Sequence, residues 1–430
     1  MLESVLQTVI MKSEKVDVLV LGAGIVGLST AVELQKSGRQ VTVIDRQEPG
    51  HGCSYGNAGW MTPCFSMPLP QPGMFWKSIG WLLDQDSPLR IKPQPSWLLV
   101  RWMTHFLFAM TEKRMLESVK VLTDISKYSL DSYRDLAAKS PKQFGFDQKG
   151  LFLVSGTKDG LHGAKVEMEL MQHQGVPGKF MTGEEIHAME PSLKPEMLKG
   201  GVYFPAEAHA EPLLTVQALA EEFKRLGGTI QSGTEVYDFT KSNGRIETVH
   251  TTRGPFKADL VVLALGTWSK ELAARLECRV PILGGKGYRI ITPSFDVKPK
   301  HPIMIVDRKI AVTPRFDGLT SVAGTLELVD QDFEITPRRL NNIIRGTQEY
   351  MNVSQSDWEI KEIWRGLRPC TPDGVPMIGF SKKHSNLFYN CGHQMLGLQS
   401  APGSGRVGAD LILGRPTITE TKPFRPERYE

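Results

Sequence analysis

The chain has 430 residues, 40% of them apolar and 23% charged, with a formal net charge of +4. That length exceeds what one core usually supports, so two domains are expected, intertwined in sequence; the composition excludes a disordered chain. The weak, dispersed positive charge argues against a nucleic-acid partner. Five cysteines (Cys53, Cys64, Cys278, Cys370 and Cys391) include no Cys-x-x-Cys pair. Neither a disulfide framework nor a metal site is expected, and a reducing, cytoplasmic setting fits.

The first residues carry Glu3 and no basic start, so residues 1–14 read as a short extension rather than a signal peptide. Val16 to Leu21 is a continuous Val-rich run, as a buried parallel strand requires. Gly22, Gly24 and Gly27 follow in G-x-G-x-x-G spacing, then Ile25, Leu28 and Val32 at helical spacing, with Gly38 as a stop. Val41 to Ile44 reads as a second strand, closed by Asp45. Gly22 permits the tight turn, Gly24 lets the backbone approach a pyrophosphate, and Gly27 lets the helix pack on the strand. The helix N-terminus offers free N–H groups to phosphate, and Asp45 is placed to accept from ribose hydroxyls. Strand, glycines, helix, strand and acid together make a dinucleotide site, and the carboxylate disfavours a 2′-phosphate.

Further along, "SWLLVRWMTHFLFAM" (Ser96 to Met110) is interrupted by Arg101 and His105 and is too short to span a bilayer. It reads as an amphipathic helix packed on the protein, with a peripheral membrane contact as the second reading. "TEKRMLESVKVLTDISKYSLDSYRDLAAKS" is helical. In "EPLLTVQALAEEFKRLGGTI", Val216, Leu219, Phe223 and Leu226 share a helical face that Gly227 ends. Asn243-Gly244 marks a hairpin turn. Leu260 to Leu265 is another buried strand, and Gly266 gives a second close backbone approach, which suits a long cofactor such as FAD. With no second G-x-G-x-x-G after a strand, a flavin enzyme reduced directly by its substrate is favoured over one with a nicotinamide site. "KGYRIITP", "PIMIVD" and "IAVTPRF" are strand candidates. "WRGLRPCTPDGVPMIG" has the Pro, Asp-Gly and charge content of a loop. The chain closes as strand, Gly-rich loop and a helix beginning near Ser404.

These motifs, in this order, resemble the D-amino-acid oxidase superfamily of flavoproteins, and most closely its bacterial D-amino-acid dehydrogenase branch. The resemblance rests on "LGAGIVGLSTAVEL", "CSYGNAGWMTP", "KSIGWLLDQDSPLRIKP", "KGYRI", "WRGLRPCTPDGVPMIG" and "CGHQMLGLQSAPGSGR", spread over nearly the whole chain. It implies an α/β plus α+β architecture: a Rossmann-like FAD-binding domain in discontinuous pieces (15–60, 198–280 and 356–420) and an inserted substrate domain on a mostly antiparallel sheet (61–197 and 281–355). It implies FAD as cofactor and oxidation of a small or cyclic D-amino acid at its α-carbon, with a quinone or other respiratory acceptor. An oxygen-using oxidase of glycine, sarcosine, D-proline or D-hydroxyproline is the second enzyme reading, and a nucleotide-binding structural or sensory subunit is the non-enzymatic one. Nothing in the sequence sets the oligomeric state.

Position by position, the resemblance places Gly22, Gly24, Ile25, Val26, Gly27, Asp45 and Arg46 at the adenosine-diphosphate site. Ser54, Asn57, Ala58 and Gly59 fall in the loop that leads toward the flavin ring. Val236 faces the adenine and Gly266 makes the second backbone approach. Gly392, His393, Leu396, Gly397 and Leu398 form the loop under the flavin's pyrimidine edge. There the chain reads "GHQMLGLQSAPGSG", departing from the branch's usual Gly-His-Gly-Thr-Leu-Gly-Trp-Thr. Arg368 resembles the carboxylate-binding arginine, whose planar fork suits that task. Arg365 is read as structural, Tyr288 as a hydroxyl closing over the carboxylate, and His393 as a hydrogen-bonding group rather than a base.

Overall fold

The computed structural model describes residues 13–73, 89–91, 97–140, 142–293, 295–353 and 358–429; most of "KSIGWLLDQDSPLRIKP" lies outside them. Strand β1 (Glu14–Leu21), helix α1 (Ile25–Lys36) and strand β2 (Val41–Ile44) follow the expected order. β1 pairs in parallel with β2 on one side and with Phe256–Leu263 on the other. Val18 and Val20 face one apolar cluster and Leu19 and Leu21 the opposite one, so both faces of β1 are buried. This is why the strand is an unbroken apolar run instead of an alternation. Thr229–Gln231 extends the sheet beyond β2, and Leu387–Cys391 continues it in parallel beyond Phe256–Leu263. The hairpin Val236–Ser242 and Arg245–Thr251 turns at Asn243 and Gly244, both at positive φ, as a two-residue turn requires.

The second sheet has the strand order Glu362–Cys370, Leu283–Thr292, Thr320–Val329, Ile310–Pro314, Ile303–Ile305, Leu151–Ser155, Gly200–Phe204 and Lys179–Met181. It is mostly antiparallel. Two expected pieces cut across it. Gly200–Phe204 and Glu362–Cys370 are strands of this second sheet, although composition grouped them with the nucleotide side. The helix Glu112–Lys139 goes the other way: Val121, Leu122 and Ile125 pack into the nucleotide-side cluster. Composition does not record which sheet a strand hydrogen-bonds to.

"WRGLRPCTPDGVPMIG" is also more ordered than its composition suggests. Trp364 to Cys370 is strand, residues 371–376 turn, and Met377–Phe380 joins the first sheet. At the turn Gly374 has φ +81° and Asp373 accepts from the Val375 N–H at 3.1 Å. Arg428 fastens the turn, donating to Asp373 at 2.6 Å and to the Val375 carbonyl at 2.6 Å.

Glu207 is a deeply buried acid. Only 1% exposed, it accepts from the Cys64 N–H at 3.0 Å through Oε1, while Oε2 has no hydrogen-bond partner among the described residues. Burial pushes its carboxyl up to about 8. The folded state therefore holds this proton more tightly than the unfolded chain. The associated stability is full below the ordinary carboxylate range and is lost as pH rises through about 8. Glu207→Gln keeps the Oε1 acceptor and removes the charge. Its melting temperature should fall less than wild type's between about pH 7 and about pH 9, the gap reflecting about 1.4 kcal/mol per pKa unit. Parallel melting curves would refute the assignment. His209 does not blur this window, because burial pushes its imidazole down to about 4.

Candidate functional site

A cleft of about 1730 Å³ runs between the two sheets, larger than a drug-sized ligand needs. Its nucleotide end is the β1–α1 turn. Gly22 stands at φ +112°, and a Cβ on it would lie 2.6 Å from the Ala264 carbonyl oxygen. A Cβ on Gly27 would lie 1.9 Å from the Gly22 carbonyl oxygen. Gly24, Ile25 and Val26 line the cleft, and α1 has no side-chain cap. Ser54 Oγ does accept from the Ile25 N–H at 3.1 Å, tying the following loop to the helix start.

Asp45 accepts from the Ala23 N–H at 2.8 Å through Oδ2 and from the Gln47 N–H at 2.9 Å through Oδ1. Burial raises its carboxyl from the ordinary value, and those N–H groups oppose the shift. Arg46 lies over the Trp268 ring at 4.4 Å and 3.7 Å from Glu235. Val236 and Gly266 complete this end, with Gly266 at φ +58°.

Asn57 and Ala58 line the middle of the cleft. Asn57 donates to the Met395 carbonyl at 3.3 Å and accepts from the Gly59 N–H at 2.9 Å, linking this loop to the carboxy-terminal one. Gly27 and Gly59 do not line the cleft; each is a packing position. A Cβ on Gly59 would fall 2.2 Å from the Ala210 carbonyl oxygen.

Gly392, His393, Leu396, Gly397 and Leu398 all line the opposite wall. The helix expected near Ser404 starts earlier, as Gly397–Ile412, and contains Pro402. The proline withholds the N–H that would bond the Leu398 carbonyl. The Tyr133 hydroxyl, buried, donates to that carbonyl at 2.7 Å instead. The helix therefore runs through Pro402, and its first turn faces the cleft. Ser404 lies inside the helix, 3.0 Å from His393 Nε2. Burial pushes His393 down to about 3, so its imidazole is neutral and unsuited to holding a catalytic proton.

The substrate-side arginine is set by strand register. Arg368 pairs with Gly285 and Arg365 with Tyr288 on the neighbouring strand. Positions three apart on a strand point to opposite faces. Arg368 lines the cleft. Arg365 is exposed on the other side, donating to the Phe333 carbonyl at 2.8 Å. Tyr288 goes with Arg365: it does not line the cleft, which corrects its expected place over a carboxylate. Its hydroxyl donates to Glu327 at 3.2 Å and accepts from the Thr336 N–H at 3.2 Å. Glu327 is also bound by Arg339 at 3.2 Å, so Tyr288 belongs to a buried polar cluster behind the sheet.

The useful residue of "KGYRI" is Gly287, because a Cβ there would lie 2.0 Å from Arg368 Nη1. Sequence reasoning also missed Thr325, whose carbonyl accepts from Arg368 Nη1 at 2.8 Å. Thr325 has φ +60° at a bulge where Lys286 and Tyr288 face Glu327 and Gly324. A bulge depends on the partner strand, so it has no local signal beyond the Gly.

FAD fits this lining. Gly22 and Gly27 are held to glycine by the Ala264 and Gly22 carbonyls, which brings the start of α1 against β1, and Gly24 lines the cleft with no side chain between its backbone and a phosphate-bearing chain. The cleft is long, and two buried polar atoms of its lining residues, Asn390 Oδ1 and Gln394 Nε2, have no partner among the described residues.

The comparisons agree. The family described as "DAO: FAD dependent oxidoreductase" matches residues 17–411. A D-amino acid dehydrogenase of Vibrio atlanticus (strain LGP32) is 32% identical over 418 residues, covering 96% of this chain and 100% of its own. One from Chromohalobacter salexigens is 32% identical over 418 residues, covering 96% and 99%. Among solved structures, L-proline dehydrogenase from P. horikoshii is similar with TM-score 0.77 and 22% identity, covering 97% of this chain and 100% of its own. Glycine oxidase from Bacillus cereus ATCC 14579 gives TM-score 0.73 and 22% identity, covering 93% and 95%. These two likenesses show the fold. Over nearly its whole length the chain belongs to the DAO family, and it is an FAD-dependent oxidoreductase.

Proposed function

We propose that the protein oxidises a D-amino acid at its α-carbon and passes the electrons to a quinone or another respiratory acceptor. The observation that carries this reading is the state of Arg368. Its guanidinium enters the cleft with one hydrogen bond to a neutral carbonyl, and no ion pair forms to it among the described residues. Loss of solvation lowers its pKa from the ordinary value; its ionisable neighbours are the thiols of Cys53 and Cys370. A cation so placed gains strongly from a carboxylate that presents two oxygens to its fork. The D-amino acid dehydrogenases to which this chain is similar over their full length support the substrate class.

When bound, FAD supplies the acceptor for a hydride. The chain's own residues do the rest by position. Arg368 fixes the substrate carboxylate, which leaves the α-carbon hydrogen a single direction. The amine must arrive neutral, since the one imidazole of the loop, His393, is low in pKa and hydrogen-bonded to Ser404. As the Cα–H bond breaks with its electron pair, the nitrogen lone pair forms the C=N bond. Water then converts the imine to a keto acid and ammonia. The first turn of Gly397–Ile412 lines the cleft and has no side-chain cap, so its positive end would stabilise negative charge on a bound flavin.

The acceptor side rests on the helix Trp97–Ala109. It buries Trp102, Phe106 and Ala109 but leaves Trp97 76% and Phe108 69% exposed, beside exposed Arg101, Lys113 and Arg114. An aromatic face with a basic rim suits an anionic membrane surface, where quinones reside. No helix among the described residues is long and apolar enough to cross a membrane. Dye- and quinone-linked turnover, measured beside peroxide formation, tests the acceptor. Stoichiometric peroxide would overturn the quinone reading in favour of an oxidase.

A further inference from the structure

We propose that Glu167 selects substrates whose side chain ends in a cation, an amine or a guanidinium; this rests on the reading that a D-amino acid is held in this cleft through Arg368. Gly160, Gly163, Ala164 and Glu167, on the helix Lys158–His173, all line the cleft. Their spacing is that of one helical face. The glycines leave the face open; Asp159, in the first turn, and Glu167, two turns further along, are the acids of this helix that line the cleft.

The sheet opposite joins this helix to the substrate arginine. Leu153, Met304, Ala311 and Ala323 are successive cross-strand partners, and the row continues through Arg289 to Trp364. Trp364 and Arg368 lie on the same strand and the same face. The row crosses five strand spacings, roughly 24 Å at about 4.8 Å each. From one end Arg368 reaches inward across Gly287 to the Thr325 carbonyl, and toward the other Glu167 lines the cleft. The wall is apolar along Leu153, Met304, Ala311 and Ala323, and Arg368 and Glu167 both line the cleft it bounds, as do Asp159, Lys309 and Asp307, the last already held by Ser155, Thr157 and Tyr350.

Glu167 makes no hydrogen bond or ion pair to any other described residue. Its low-polarity setting pushes its carboxyl up to about 7, and the charge of Lys309 opposes the shift without contact. Lys309 itself is exposed at a hairpin turn, so its charge is solvated. A carboxyl against an apolar wall is costly when ionised alone and favourable when a ligand supplies the cation. A zwitterionic substrate with a cationic tail meets both groups in one orientation: carboxylate to Arg368, tail to Glu167. A neutral tail leaves Glu167 unpaired, and an acidic tail repels it.

The test compares D-arginine with D-citrulline, which has the same shape and a neutral ureido end, by anaerobic flavin bleaching of the holoenzyme. The half-saturating concentration should favour D-arginine by about tenfold or more, the size of a charged hydrogen bond. In Glu167→Gln that preference should collapse to within about threefold. A binding readout that needs no turnover is the thermal shift given by δ-guanidinovalerate, which lacks the α-amine; it should exceed that of hexanoate in wild type and not in the variant. Equal affinity for D-arginine and D-citrulline in wild type, or a preference retained in Glu167→Gln, overturns the role of Glu167. If both amino acids and every other D-amino acid leave the flavin unbleached, the failure lies with the proposed function instead.

Discussion

Arg368→Ala abolishes productive substrate binding while the protein keeps its FAD. In the proposed binding mode the buried Arg368 guanidinium pairs with the substrate carboxylate, and truncating one member of a desolvated charge pair costs about 2–5 kcal/mol. The expected loss in kcat/KM is therefore roughly two to four orders of magnitude. Most of it should appear as weaker binding, because a mobile carboxylate also misaligns the α-carbon. Arg368→Lys should recover little, since an ammonium lacks the planar fork. FAD content should match wild type, because Arg368 sits on the second sheet, away from the glycine cradle. Tyr288→Phe is the counterpart on the other face of the sheet. It loses a hydrogen bond to Glu327 and should cost about 1 kcal/mol of stability with little change in substrate saturation. Steady-state kinetics with the flavin absorbance of each purified variant checks both; normal substrate affinity in Arg368→Ala would refute its role.

Gly27→Ala should cost the cofactor itself. The added methyl would lie 1.9 Å from the Gly22 carbonyl oxygen and 3.4 Å from Ala264 Cβ, so α1 must move off β1. That movement turns the helix N-terminus away from the pyrophosphate position, and overpacking adds about 1–3 kcal/mol of destabilisation. The variant should purify largely colourless and melt lower than wild type, with added FAD giving little stabilisation. Gly38→Ala is the informative comparison. Gly38 also has positive φ, but nothing lies within 4 Å of its Cβ position. It should keep FAD and lose only the strain cost of about 1 kcal/mol. A yellow, fully loaded Gly27→Ala protein would show that the close helix–strand approach is not what forms the site.

What the sequence revealed follows from how local each constraint is. The nucleotide end was legible because its chemistry is written in consecutive residues: Gly22, Gly24 and Gly27 meet their steric demands within one turn, and Asp45 sits at the end of the next strand. The resemblance singled out Arg368, which the structure places in the cleft, and the two-residue period of a strand explains why Arg365 points elsewhere. Tyr288 was misplaced because its face depends on pairing with a strand far away in the sequence, across a bulge at Thr325. The same limit hid Gly287, whose value is the room it leaves for another strand's side chain. The start of the last helix was misread because Pro402 looks like a breaker; the hydroxyl that compensates it comes from Tyr133, more than two hundred residues earlier. Glu167 carries no motif, and its place in the cleft comes from packing of its helix on the second sheet.

The central claim is oxidation of a D-amino acid through a carboxylate held by Arg368. The most direct measurement is anaerobic bleaching of the enzyme-bound flavin by matched D- and L-amino acids, with prolines and N-methyl glycines in the same panel. The expected result is rapid loss of the visible flavin absorbance with one or more D-amino acids, slow or absent bleaching with their L-enantiomers, and no bleaching by the corresponding amines that lack a carboxylate. Equal bleaching by the decarboxylated amines, or none by any amino acid, would contradict it.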